Sequence, residues 1–168
     1  MEKRQPQDIK QMSDITKMSD IPLMPEDFKE FIQCLNSNNV RYLLVGGWAV
    51  GIYGNPRATK DIDFLIAIND DNLERLQKAF LGFGAPPVDL ERFKEKGYVI
   101  RIGSSPVQID IINEADGIDI DDCFLRKETI TVDGTKVFVI SRDDLIINKR
   151  VSGRTIDIAD AEMLVSKK

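Results

Sequence analysis

The stretch VGGWAVGIYGNPRATKDIDFLIAI, residues 45–68, puts two aspartates, Asp61 and Asp63, at the head of an apolar run. Aspartate is a poor strand former, and side chains two positions apart on a strand project from the same face. If the run is a strand, Asp61 and Asp63 stand side by side while Ile62 and Phe64 point the other way. Adjacent carboxylates repel each other unless a cation or a proton lies between them, and a divalent metal takes several oxygen ligands at once. A third aspartate, Asp110 in VQIDII, is embedded in a later apolar run, with Ile109 and Ile111 directed to the core and Asp110 opposite. Should the two strands be neighbours, three carboxylates converge on one surface. Such a group can hold two metals roughly 3.5–4 Å apart, the arrangement that serves in-line phosphoryl or nucleotidyl transfer.

A second feature lies just upstream. The apolar run RYLLV ends in Gly46-Gly47. A strand entering two glycines and then a helix lets backbone N–H groups approach a phosphate without side-chain obstruction, with a helix N-terminus behind them. Composition narrows the chemistry further. The chain has no histidine, which rules out Ser-His-Asp and Cys-His arrangements and histidine-ligated zinc or iron. A metal would be held by carboxylate and backbone oxygens, favouring magnesium, manganese or calcium. The net charge of -5 argues against a broad nucleic-acid-binding face but leaves room for a local basic pocket. Cys34 and Cys123 lack metal-site spacing and read as core residues, not a disulfide framework.

With 168 residues the chain suits one domain. Residues 1–23 are polar, have no apolar core of a signal peptide, and are expected to form a flexible segment ahead of a domain at 24–168. No apolar run is long enough for a membrane span, and the expectation is a cytoplasmic protein. From Pro25 a helix is expected, with Phe28, Phe31, Ile32 and Leu35 on one face. RYLLVGG and DIDFLIAI read as strands, WAVGIYG as a short helix or turn and NPRAT as a loop. NDDNLERLQKAFLGFG is an amphipathic helix started by Asn69 or Asp70 and closed by glycines, and DLERFKEK a possible short one. YVIRIG with PVQIDIINE, and ETITVDGTKVFVIS around Asp133-Gly134, form hairpins. Two helices close the chain; Ser141 heads the first, with Asp144 imitating a capping box. This order indicates α+β: a mixed β-sheet with flanking helices.

Taken together, LLVGGWAV, RATKDIDFLI and VQIDII resemble the nucleotidyltransferase superfamily of the DNA polymerase β type. Its signature is Gly-Gly or Gly-Ser after an apolar residue, then Asp-apolar-Asp/Glu, then a third acid on a later strand. The local flavour is similar to small abortive-infection or toxin–antitoxin-associated members and to the lincosamide-modifying branch. The resemblance spans about residues 25–165 and implies a polymerase β palm-like fold. It implies that Gly46 and Gly47 bind the triphosphate of an NTP such as ATP and that Asp61 and Asp63 hold Mg2+ or Mn2+. Asp110 would bind one metal and serve, or assist, the base that activates an acceptor hydroxyl, with pyrophosphate leaving. Arg57, Thr59 and Lys60 lie in the loop before the aspartates, within reach of phosphate or acceptor, or form a solvated loop. Lys149, on a helix whose apolar face is read as Leu145, Ile146 and Val151, either neutralises the phosphates or is a plain exposed lysine. Arg154 and Asp157 are read as a local ion pair; Trp48 reads as packing.

The spacing GGWAVG does not fit a dinucleotide fingerprint, and no Gly-Lys-Ser/Thr follows for a Walker loop. The alternative of a different class is a non-catalytic nucleotide-binding relative, for instance one half of a toxin–antitoxin pair. With two short helices after the last strand, the acceptor pocket is small, open, or completed by a second copy in a homodimer. The acceptor itself, whether small molecule, protein or RNA, is not written in the sequence.

Overall fold

A computed structural model describes residues 23–56 and 59–167. The flexible segment expected at 1–23 lies outside the described residues except for Leu23, as does Arg57. Among the described residues a six-stranded sheet has the order β3-β4-β2-β1-β6-β5. Its strands are β1 Tyr42–Val45, β2 Asp61–Ile66, β3 Val99–Ser104, β4 Val107–Ile112, β5 Glu128–Val132 and β6 Thr135–Val139. The pairs β2–β4 and β1–β6 are parallel, while β1–β2, β3–β4 and β5–β6 are antiparallel. The sheet is therefore mixed, as the element order indicates.

Helices α1 Glu26–Ser37 and α3 Asp70–Phe83 cover one face of the sheet. The four apolar positions expected on α1 are all buried. Phe31 stacks at 6.2 Å on Phe80 of α3 and meets Phe64 of β2 at 5.5 Å, so these rings lock both helices onto the strand. Asn69 caps α3 by accepting from the Asn72 amide, and Gly84 ends it at φ 81°. Both hairpins form; Asp133 and Gly134 adopt φ 48° and 81°, the pair of positive values a tight primed turn demands.

The remaining helices are α2 Gly46–Ile52, α4 Ile120–Leu125, α5 Arg142–Ser152 and α6 Thr155–Ser166. Helix α4, unforeseen in the sequence, starts where the Asp119 side chain accepts from the Asp122 amide; its six residues are too few for periodicity to register. The DLERFKEK segment contains only a 3-10 turn, Arg92–Lys94. On α5 the expected apolar face is corrected at one position. Leu145 and Ile146 are buried, but Val151 is 59% exposed, because the helix turns Lys149 inward instead. Ser141 accepts from the Asp144 amide as a cap should, while the Asp144 carboxylate is drawn to the Ser141 hydroxyl and to Arg126. Both cysteines are free, Cys123 buried and Cys34 half-buried against the core. None of the described helices is long and apolar enough to cross a membrane.

One buried amide fixes the strands that carry the site. The side chain of Asn72 accepts from the Arg41 amide at 2.7 Å and donates to the Arg41 carbonyl at 3.1 Å and the Ala67 carbonyl at 2.7 Å. It joins the start of β1 to the end of β2, and so holds Val45 opposite Asp63 at the other end of the pair. Asn72→Ala removes the side-chain partners of the Arg41 amide and the buried Ala67 carbonyl, and a buried group left unpaired costs about 1–3 kcal/mol. Urea unfolding should show a loss of about 2–3 kcal/mol with an unchanged m-value; an unchanged midpoint would contradict this role.

Candidate active site

The register of the sheet builds the site. Parallel pairing sets Asp63 opposite Asp110 and Asp61 opposite Gln108, and antiparallel pairing sets Arg101 of β3 opposite Asp110. Ile62, Phe64, Ile109 and Ile111 are buried on the alternate positions, so the carboxylates share the other face. Carboxylate oxygens of Asp61, Asp63 and Asp110 all lie within 4.8 Å of one another. Asp61 and Asp63 are half-buried and Asp110 is buried.

Two unit charges at that separation repel by about 3 kcal/mol at an effective dielectric of about 20. This exceeds the roughly 1 kcal/mol span of strand propensities, so mutual repulsion costs the cluster more than backbone preference does. Burial adds to it at Asp63. Burial, with the charges of Asp61 and Asp110 adding to it, pushes its carboxyl up to about 7. The oxygens present (three carboxylates, no nitrogen or sulfur) suit a hard divalent cation such as magnesium or manganese.

Gly46 opens α2 beside this cluster, at φ 69°. A side chain there would collide with the Asp63 carboxylate, so both the backbone conformation and the close approach require glycine. A Cβ at Gly47 would sit 3.4 Å from Thr59. Thr59 in turn donates its hydroxyl to the Asp61 carbonyl at 2.8 Å, with the Asp61 carboxylate at 3.3 Å. Thr59 is thus placed to orient Asp61.

A cleft of about 360 Å3 opens next to Asp63, lined among others by Gly46, Tyr98, Asn148, Lys149 and Arg154. Lys149 is not an exposed helical lysine. It is buried on α5 and pairs with Asp157 at 2.9 Å and Asp160 at 3.5 Å, both on α6. The Arg154–Asp157 pair forms at 2.7 Å, but Asp157 is itself buried. Burial raises the Asp157 carboxyl, yet hydrogen bonds from Ser152, Lys149 and Arg154 outweigh it and hold it at about 2. Lys149 also moderates the rise at Asp63 from across the cleft.

Two residues of the site were not anticipated in the sequence. Arg101 grips both oxygens of Asp110, Nε to Oδ1 at 2.9 Å and Nη2 to Oδ2 at 3.3 Å. Gln108 donates to the same carboxylate at 3.1 and 3.3 Å. The signal was present as alternation: Gln108 shares a strand face with Asp110, and Arg101 falls opposite once the YVIRIG–PVQIDI hairpin is registered.

The raised Asp63 carboxyl makes stability, and the binding of any divalent cation at the cluster, depend on pH with definite signs. Its folded pKa lies above the ordinary value near 4, so the protonated form is favoured by folding. The contribution to stability is therefore greatest below about pH 4 and is lost as pH rises through about 7. Asp63→Asn should leave stability unchanged near pH 4 and raise it relative to the natural protein at pH 8, as followed by thermal unfolding without metal. Calorimetric Mn2+ titrations should show affinity rising up to about pH 7 with proton release, then levelling. A pH-independent affinity would contradict the coupling.

Residues 24–167 match the family described as nucleotidyl transferase of unknown function (DUF2204). Curated proteins give no match. Among solved structures, the fold is similar to that of an antigenic nucleotidyltransferase-like protein from Paracoccidioides brasiliensis. The TM-score is 0.51 at 18% identity, over 83% of this chain and 72% of that one. A more distant likeness, TM-score 0.48 at 15% identity over 83% of this chain and 86% of the other, is to ANT(2″)-Ia in complex with adenylyl-2″-tobramycin. With its family match covering nearly all of the described residues, the chain belongs to the DUF2204 nucleotidyl transferases.

Proposed function

We propose that the protein is a divalent-metal-dependent nucleotidyltransferase that moves an NMP from an NTP to a hydroxyl of an acceptor and releases pyrophosphate. The observation that carries this reading is the convergence of Asp61, Asp63 and Asp110 beside the Gly46 turn. Asp61 and Asp63, with Asp110, would hold Mg2+ or Mn2+. Bound there, the ion would neutralise charge on the triphosphate and on the reacting oxygens.

The chain's own groups supply the rest. Gly46 and Gly47 leave the turn clear of side chains, so a triphosphate can approach the backbone. Thr59 keeps Asp61 in place, and Arg57 is assigned to the triphosphate from its position in the sequence before the aspartates alone. Lys149, fixed by Asp157 and Asp160, gives the cleft wall a positive charge facing Asp63. Asp110 accepts the proton of the acceptor hydroxyl as its oxygen bonds to the α-phosphorus and the bond to the pyrophosphate breaks. The cleft volume is within the range of small-ligand sites. A cytoplasmic enzyme using ATP, and a second copy completing the acceptor side, complete this reading.

The test is pyrophosphate release from each NTP with Mg2+, together with mass spectrometry of candidate small-molecule, protein and RNA acceptors. Asp61→Asn and Asp63→Asn should each lower the rate by about a hundredfold or more, the scale on which loss of a charge-stabilising group acts. Nucleotide bound without pyrophosphate release from any NTP would favour the non-catalytic, toxin–antitoxin-type reading. Turnover insensitive to both variants would refute the site.

A further inference from the structure

We propose that Arg101 is a displaceable counter-cation for the carboxylate cluster: it holds Asp110 in the metal-free protein and releases it when a divalent metal binds. This regulation rests on the metal-dependent reading of the site given above. The asymmetry of the pair supports displacement. The Asp110 side chain is 7% exposed and anchored within the sheet, whereas the Arg101 side chain is 60% exposed at its edge strand. Only the arginine can leave without disturbing the fold.

The charges point the same way. Asp61 and Asp63 have no ion-pair partner among the described residues; Arg101 pairs with Asp110 alone, and Lys149, itself paired with Asp157 and Asp160, acts on Asp63 only from across the cleft. Arg101 and Gln108 together place two donors on each oxygen of Asp110. A divalent cation held by Asp110 together with Asp61 or Asp63 would need an Asp110 oxygen that these donors now share. Exchange of the guanidinium for a divalent cation improves the charge balance of the cluster, since two positive charges replace one. Among the described residues β3 has no strand beyond it, and the exposed Arg101 side chain can turn outward from this edge into solvent. Arg101 is in this sense a competitor of the metal and not one of its supports.

Mn2+ affinity measured at pH 8 without nucleotide separates these roles, using calorimetry and water-proton relaxation on the full chain. Arg101→Gln should bind Mn2+ about tenfold more tightly than the natural protein, because a competing positive charge within a few ångströms is gone. Arg101→Lys, which keeps the charge and loses the two-pronged grip, should fall between them. Without metal, Arg101→Gln should melt at a lower temperature than the natural protein, and saturating Mn2+ should close the gap. Adding Asp63→Asn to Arg101→Gln should abolish the tight binding, which locates it at the cluster. Equal or weaker Mn2+ binding by a folded Arg101→Gln protein overturns the counter-cation role and leaves the metal site standing. Failure of both proteins to bind Mn2+ overturns this proposal and the metal-dependent reading together.

Discussion

Mutual repulsion among Asp61, Asp63 and Asp110 is the constraint around which the rest of this structure is arranged. The three carboxylates are forced together by strand register: parallel pairing of β2 with β4 fixes Asp63 beside Asp110, and strand alternation fixes Asp61 beside both. Several neighbouring features answer that concentration of charge. Arg101 neutralises Asp110 and Gln108 donates to the same carboxylate, Thr59 donates to Asp61, and Asp63 keeps its proton to about pH 7. A fold arranged for stability alone would bury apolar side chains at these positions, as it does at Leu65 on the same face. A cluster retained at such cost has the composition of a divalent-metal site, which agrees with membership of a nucleotidyl transferase family.

The helical ends of the chain serve the same surface. Helices α5 and α6 carry Lys149 into the cleft beside Asp63, and two α6 acids hold it there. This buried ion-pair group explains why α6 turns acids inward and leaves Ile156, Met163 and Val165 at least partly exposed. Without those partners the ammonium would be buried and unpaired, a costly arrangement for a charge. Within α5, the inward turn of Lys149 and the outward turn of Val151 are two results of one helix rotation.

Much of this was legible in the sequence because it is local. Period-two alternation placed Asp61 and Asp63 on one face, Asp133-Gly134 specified a hairpin turn, and four apolar residues fixed the buried face of α1. What escaped the sequence depends on register or on distant partners. Arg101 matters only because β3 pairs with β4 so that it faces Asp110, and the run VIRIG alone gives it no distinction. Asn72 looks like an ordinary residue in a first helical turn, yet its amide closes the β1–β2 pair across the chain. Lys149 was readable as exposed because its partners lie on the next helix. The roles proposed for Asp61, Asp63 and Asp110 came from a superfamily resemblance joined to geometry; spacing alone would not have suggested them.

Anomalous diffraction from crystals grown with Mn2+ and a non-hydrolysable ATP analogue tests the central claim most directly. The account predicts manganese peaks among the carboxylates of Asp61, Asp63 and Asp110, with the triphosphate against the Gly46-Gly47 turn. Two ions, if both sites fill, should lie about 3.5–4 Å apart. Clear density for the nucleotide elsewhere, with no manganese at the three aspartates, would contradict it.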